Sequence, residues 1–311
     1  MPQSFFILSG EHLELGADEV ISISKSYDTK TTYAVESKLV IIKSNTPWQK
    51  IAERATFVRA CGNISGTFND ISEIEISVQP PKSFVCRAIN LSSKKINVSN
   101  IERDAGAILE RRLGSSVSLS NPSLIVYLII ADKARYVGYA DGTITPRRPK
   151  KTIKYPTELD WKLSRCIVNL SQLKEGDTLC DPFCGTGTTL LEAESMGMHS
   201  IGIDYDFDMC NITRRNLVEN GYESRVVNST HQFIPKIKKK IDAIVTDVPY
   251  GIASRSSVPP KKIIEDLLSV VPKKMKLVLV YKKGSELTEL SGAKRYEIYR
   301  HKSLTRVIAV R

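Results

Sequence analysis

The run DTLCDPFCGTGTTLLEAESMG, residues 177–197, constrains the fold of this chain more than any other stretch. A short apolar strand ends on Asp181, Gly185 and Gly187 permit a tight turn, and TTLLEAESM opens a helix that Gly197 ends. HSIGID reads as the next strand and ends on Asp204, 17 residues after Gly187. Strand, glycine turn, helix and strand in that order make a βαβ unit, whose chemistry belongs at the carboxyl ends of its strands. SRVVN, IDAIVTD and KLVLVY continue the alternation, and SLTRVIAV closes the chain. Residues 163–311 therefore read as an α/β domain with a doubly wound, Rossmann-like parallel sheet.

The first half reads differently. SFFIL, TYAVE, KLVII, EIEISV, FVCRAINL, SLIVYLII and ARYVGYA look like strands, and helical patterns lie near 48–55 and 99–112, an α+β mixture. Between the halves, residues 144–162 hold Pro146, Pro149 and Pro156 among basic residues, which breaks periodicity and reads as an exposed linker. Charge follows the same division. Of the formal +11, residues 1–143 contribute almost nothing, so the basicity belongs to the second half. RRPKKTIK (147–154), KIKKK (236–240) and KKMK (273–276) can neutralise phosphates, or can equally form a solvated face. With 41% hydrophobic and 25% charged residues, the composition is that of a soluble globular protein, and no apolar run approaches a bilayer span. MPQSFFILSG has no basic leader, so a cytoplasmic compartment is expected. Six cysteines without a C-x-x-C pair, beside four histidines, encode neither a disulfide framework nor a metal site.

A glycine turn is common to dinucleotide and adenosyl sites. Here an acid, Asp181, opens the loop, which suits a cationic ligand such as S-adenosylmethionine better than a pyrophosphate. Asp204 stands where a carboxylate takes ribose hydroxyls, although it could instead cap a helix starting near Phe207. TDVPYG, residues 246–251, then places Asp247, Pro249 and Tyr250 at another strand end. Exocyclic amines of nucleobases are weak nucleophiles, so an enzyme must accept their hydrogens and hold the nitrogen toward an electrophile. Asp247 can accept, Pro249 stiffens the turn, and Tyr250 offers a stacking face for an unstacked base. The alternative is an ordinary turn with Tyr250 in the core and Asp247 as a cap.

With these residues in view, the chain resembles the THUMP-containing tRNA guanosine methyltransferases, the archaeal type that modifies the exocyclic amine of guanosine at position 10. DPFCGTGTTLLEA looks like that family's first adenosylmethionine motif, GIDYD its second, TDVPYG its catalytic motif and HKSLTR (301–306) its C-terminal signature; NPSLIVYLIIADKARYVGYA is similar to its THUMP core. The resemblance covers essentially the whole chain. It implies a ferredoxin-like domain at 1–45, a tRNA-binding THUMP domain at 46–143, a basic linker at 144–162 and the methyltransferase domain at 163–311. It also implies a cofactor site of Asp181, Phe183, Gly185, Gly187, Thr188, Asp204, Tyr205 and Thr230, with Asp247, Pro249 and Tyr250 orienting the target amine. A monomer acting on tRNA is expected, while the number of methyl groups added and the use of a small activator subunit stay open. Two residues depart from the pattern. Val248 stands for a proline, adding a backbone donor and freedom to the loop, and Thr230 stands where an acid commonly contacts the adenine amine. The runner-up readings are a DNA amino-methyltransferase and an RNA-binding module with a vestigial adenosyl site.

Overall fold

The computed structural model describes residues 1–153, 155, 158–249, 258–302 and 304–311. The chain divides into two units, Met1–Glu53 with Phe57–Pro146, and Arg54–Thr56 with Arg147–Arg311.

The first unit holds β1 (Gln3–Leu8), α1 (Leu13–Tyr27), β2 (Thr32–Glu36), β3 (Leu39–Lys43), α2 (Trp48–Ala52), β4 (Val58–Thr67), β5 (Ser83–Asn90), α3 (Val98–Leu113), β6 (Ser116–Val117), β7 (Leu124–Ile130) and β8 (Arg135–Ala140). Its strands form one sheet in the order β2-β3-β1-β4-β8-β7-β5-β6. Strands on both sides of residue 45 thus share a sheet, with Phe5 of β1 opposite Gly62 of β4. Phe5 is fully buried and meets Tyr127 edge-on, with ring centroids 5.2 Å apart. Two glycines make that possible. A Cβ on Gly62 would lie 2.3 Å from the Tyr139 carbonyl oxygen, and one on Gly138 would lie 2.6 Å from the Phe5 ring. The same glycines weaken the strand pattern of β4, which the sequence reading passed over.

EIEISV (73–78) is not a strand. A 3-10 turn, Ile71–Glu73, is capped by Asp70, and Arg112 donates to the carbonyls of Ser72, at 2.7 Å, and Ile74. The apolar alternation is real, since Ile74 is buried and Ile76 and Val78 pack on the same core. The Ile74 carbonyl, however, is taken by a guanidinium rather than by a ladder.

The second unit holds α4 (Trp161–Leu170), β9 (Thr178–Asp181), α5 (Thr188–Ser195), β10 (His199–Asp204), α6 (Phe207–Val218), β11 (Val226–Asn228), α7 (Ile234–Ile237), β12 (Ala243–Asp247), α8 (Pro260–Val270), β13 (Lys276–Lys282), β14 (Lys294–His301) and β15 (Leu304–Val310). The order β11-β10-β9-β12-β13-β15-β14 is parallel as far as β13. β15 and β14 then add an antiparallel edge to the expected parallel sheet. The Rossmann-like α/β reading holds with that addition.

Residues 147–153, within the expected exposed linker, are strapped to this unit. The backbone of Lys150 exchanges hydrogen bonds with the Asn220 side chain, and that of Ile153 does so with Asn216. The Arg147 carbonyl accepts from Arg165 at 2.6 Å. Arg165 is itself buried against Glu192 at 2.7 Å, a pair whose partners need each other because neither charge reaches water.

Candidate active site

The strand order of the second sheet turns back between β9 and β12. In open α/β sheets a ligand crevice lies beyond the strands' carboxyl ends at such a point. Asp181 ends β9 and Asp247 ends β12, so two carboxylates from distant sequence flank it.

Asp181 is 2% exposed. Its Oδ1 accepts from the Phe183 amide at 3.1 Å and from the Thr246 hydroxyl at 2.5 Å, bracing the loop's start against β12. Burial pushes its pKa up to about 7, although those hydrogen bonds pull the other way. The loop then turns through Gly185 (φ 51°) and Gly187 (φ 82°). Thr213 of α6 holds it, donating to the Gly185 carbonyl at 2.6 Å. A Cβ on Gly187 would strike Thr213 at 2.8 Å, whereas one on Gly185 would meet nothing within 4 Å, so that face is clear for a ligand.

Asp204 accepts from the Gly185 amide at 2.9 Å and the Asp206 amide at 2.9 Å. The helix-cap alternative for it falls away, because Asp206 caps α6 by accepting from the Asp208 and Met209 amides. Burial raises the Asp204 pKa, while its backbone donors lower it. A carboxylate has about four lone-pair positions, so these amides, with that of Tyr205, leave acceptor capacity for a hydroxyl donor.

Beside this loop lies an open cleft of about 280 Å³. Phe183 and Tyr205 form flat walls, Ser229, Thr230 and His231 line it from the turn after β11, and Pro249 lines it after β12. Val258 and two residues of α8, Ile263 and Asp266, complete the side that the sequence reading did not find. His231 packs on Phe183 with ring centroids 5.6 Å apart, and burial lowers its pKa. Thr230 accepts from the Gln232 amide at 3.4 Å, starting a short turn. Of the expected cofactor residues, Phe183, Tyr205 and Thr230 line the cleft; Asp181, Gly185, Gly187, Thr188 and Asp204 lie in the framework beside it. Flat apolar walls, a glycine with a clear face and an acid with spare acceptor capacity fit an adenosyl group.

Asp247 sits beside Arg306 of β15, whose Nη2 lies 4.0 Å from Oδ2. Arg306 is 3% exposed, so its charge faces the carboxylate through protein rather than water. HKSLTR was noted in the sequence for its likeness, but no role could be read for its arginine without the antiparallel pairing of β13 and β15. Val248 also changes meaning. Its amide donates to the Val280 carbonyl at 2.8 Å, and its side chain is fully buried. The donor that a proline lacks extends the ladder, so the expected freedom at this position is corrected. Tyr250 lies outside the described residues. Lys151, read only as part of a basic cluster, has a nearly buried ammonium that donates to Glu158 at 2.5 Å, to Thr186 at 2.7 Å and to Thr188.

The RMKL-like methyltransferase domain model matches residues 148–304. A DNA methylase model matches residues 11–215, a span that takes in the glycine loop but stops short of Asp247. The chain is 32% identical to a tRNA (guanine(10)-N2)-dimethyltransferase of Methanothermobacter thermautotrophicus, over 98% of this chain and 97% of that one. It is 28% identical to the protein of the same name from Methanocaldococcus jannaschii, over 98% of both. The crystal structure of TrmN from Thermus thermophilus superposes with a TM-score of 0.56 at 16% identity, covering 100% of this chain and 99% of that one, which shows a shared fold.

Proposed function

Because the chain belongs to the family of tRNA (guanine(10)-N2)-dimethyltransferases, we propose that it methylates the exocyclic amine of a guanosine, at position 10 of tRNA, using S-adenosylmethionine. The observation that carries this reading is that Asp247 ends β12 next to β9, from whose end runs the glycine loop that Asp204 holds. When bound, S-adenosylmethionine supplies a methyl group on a sulfonium. Asp204 accepts ribose hydroxyls, and Phe183 and Tyr205 enclose the adenine between flat faces. Asp247 accepts a hydrogen of the guanine amine, which keeps the nitrogen directed at the methyl group. Transfer would join that methyl carbon to the amine nitrogen, with the sulfur keeping the electron pair of the broken bond, and Asp247 would take the amine's surplus proton along its hydrogen bond. Arg306, 4.0 Å away, faces that carboxylate and favours its orientation, and Tyr250 stacks on the guanine. The first unit, comprising the ferredoxin-like stretch 1–45 and the THUMP stretch 46–143, grips the tRNA. The enzyme works as a cytoplasmic monomer.

Nucleoside mass spectrometry tests this reading after incubation of unmodified tRNA, and separately of DNA, with the protein and S-adenosylmethionine. Methylated guanosine from tRNA alone is expected. Asp247→Ala should lower turnover by at least about a thousandfold while leaving S-adenosylhomocysteine binding intact, because Asp247 touches the target amine and not the cofactor. Full activity in that variant, or methylated adenine from DNA, would overturn the assignment.

A further inference from the structure

The cleft's polar groups are few and unequal. Ser229 lies beside the ribose carboxylate, its amide donating to the Asp204 carbonyl at 2.9 Å, so the cleft opens where a cofactor's base follows its ribose. Thr230 is engaged with the Gln232 amide. His231 packs its ring on Phe183, and burial keeps it on the neutral side. Asp266, reaching in from α8, is the one carboxylate among the described residues that line the cleft. Its Oδ1 receives Lys262 at 2.9 Å, an i,i+4 contact between partly exposed side chains that holds the acid in place at little energetic consequence. A carboxylate so placed can take further donors. Adenine differs from hypoxanthine on one edge, where it carries an amine with two N–H donors beside an acceptor N1 instead of a carbonyl oxygen beside an N1–H, and a largely apolar slot orients its ligand through a few such contacts.

We propose that Asp266 is the group that reads the adenine amine of the cofactor, so that selectivity for an adenosyl over an inosyl group comes from α8 rather than from the turn after β11. This rests on the cofactor reading given above. Because α8 follows the catalytic strand in the chain, the helix that carries Asp266 is tethered to the same strand end as Asp247. An acid here also explains how the site does without one at Thr230. The acceptor is then carried by α8, which packs beside the turn after β11.

Calorimetry with the full chain distinguishes the possibilities, using S-adenosylhomocysteine and S-inosylhomocysteine, in which a carbonyl oxygen replaces the amine and N1 gains a hydrogen, so that a group facing the amine position meets an acceptor instead of a donor. The wild-type chain should prefer the adenosyl compound by about tenfold or more, the size expected for a charge-assisted hydrogen bond set against an oxygen–oxygen repulsion. Asp266→Ala should weaken S-adenosylhomocysteine by about tenfold and leave S-inosylhomocysteine unchanged or tighter. Asp266→Asn, whose amide can donate to the inosyl oxygen as well as accept from an amine, should bring the two affinities together. The side chain is partly exposed, so both variants should melt as the wild type does. Binding by the wild type with the preference intact in both variants would overturn this assignment alone and give the amine to the Ser229 and Thr230 hydroxyls. Failure of the wild type to bind either compound would overturn the cofactor reading and this assignment with it.

Discussion

At Asp181 the surroundings of a single side chain change what its charge does. The acid was expected to face a cationic ligand, and the structure puts it under the loop with Thr246 and Phe183 as its donors. Its pKa rises from 3.8 to about 7, mainly through burial. In the unfolded chain the same group ionises near 3.8, so between about pH 4 and 7 the folded state holds the extra proton. Stability of the ligand-free protein should therefore fall as pH rises through that window and level off above it. The rise from 3.8 to about 7 corresponds to roughly 4 kcal/mol. Asp181→Asn should flatten the slope, which urea unfolding at pH 5 and pH 8 would measure. A wild-type slope retained in the variant would assign it to other groups, with Asp204, also raised by burial, the first to test.

Among the elements, the strap at 147–153 is where an extended reading and the structure part most. Prolines and like charges in sequence say that this stretch forms no regular element, and it forms none. They carry no information about what it lies on. Asn216, fully buried in α6, donates to the Ile153 carbonyl and also to the Thr186 carbonyl at 3.0 Å, so one amide ties the strap to the glycine loop. Asn216→Ala removes both bonds together with the one that its Oδ1 accepts from the Ile153 amide, and leaves the buried Thr186 carbonyl without this donor, at about 1–3 kcal/mol. Trypsin should then cut faster after Arg147, Lys150 and Lys151, and S-adenosylhomocysteine should bind more weakly. Cleavage at the wild-type rate would mean that Asn220 and Arg165 hold the strap without it.

For the molecule as a whole, net charge and its placement suggest how the halves share RNA binding. Nearly all of the +11 lies beyond residue 143, and Lys236, Lys238, Lys239 and Lys240 are exposed on the second unit. If the first unit grips RNA as proposed, its near-neutral charge requires selection through shape and local contacts. Replacing Lys238, Lys239 and Lys240 by Ala should weaken tRNA and unrelated RNA alike. It should also reduce the log–log salt slope by ~0.7 to 0.9 for each phosphate that is no longer neutralised. A filter-binding series across salt concentrations would measure both, and a weakening confined to tRNA would assign these lysines to specific recognition instead. No helix of the described residues is long and apolar enough to cross a membrane.

Much of this was legible in the order of residues alone. Periodicity and glycine punctuation in residues 177–204 dictate a strand, turn, helix and strand, because only that geometry satisfies both the apolar pattern and the two left-handed backbone positions at Gly185 and Gly187. Asp204 and Asp247 could be named because each ends a strand, and position along a strand is a local property. The partners of those acids were not legible. Arg306 reaches Asp247 only through the antiparallel pairing of β15 with β13, and Asp266 reaches the cleft only because α8 packs beside the turn after β11. The same holds for the donor of Val248, which read as loose until β13 offered the Val280 carbonyl. Local pattern acts over a few residues along the chain, whereas burial, ion pairing and acceptor geometry depend on neighbours tens of residues away, which only folding brings together.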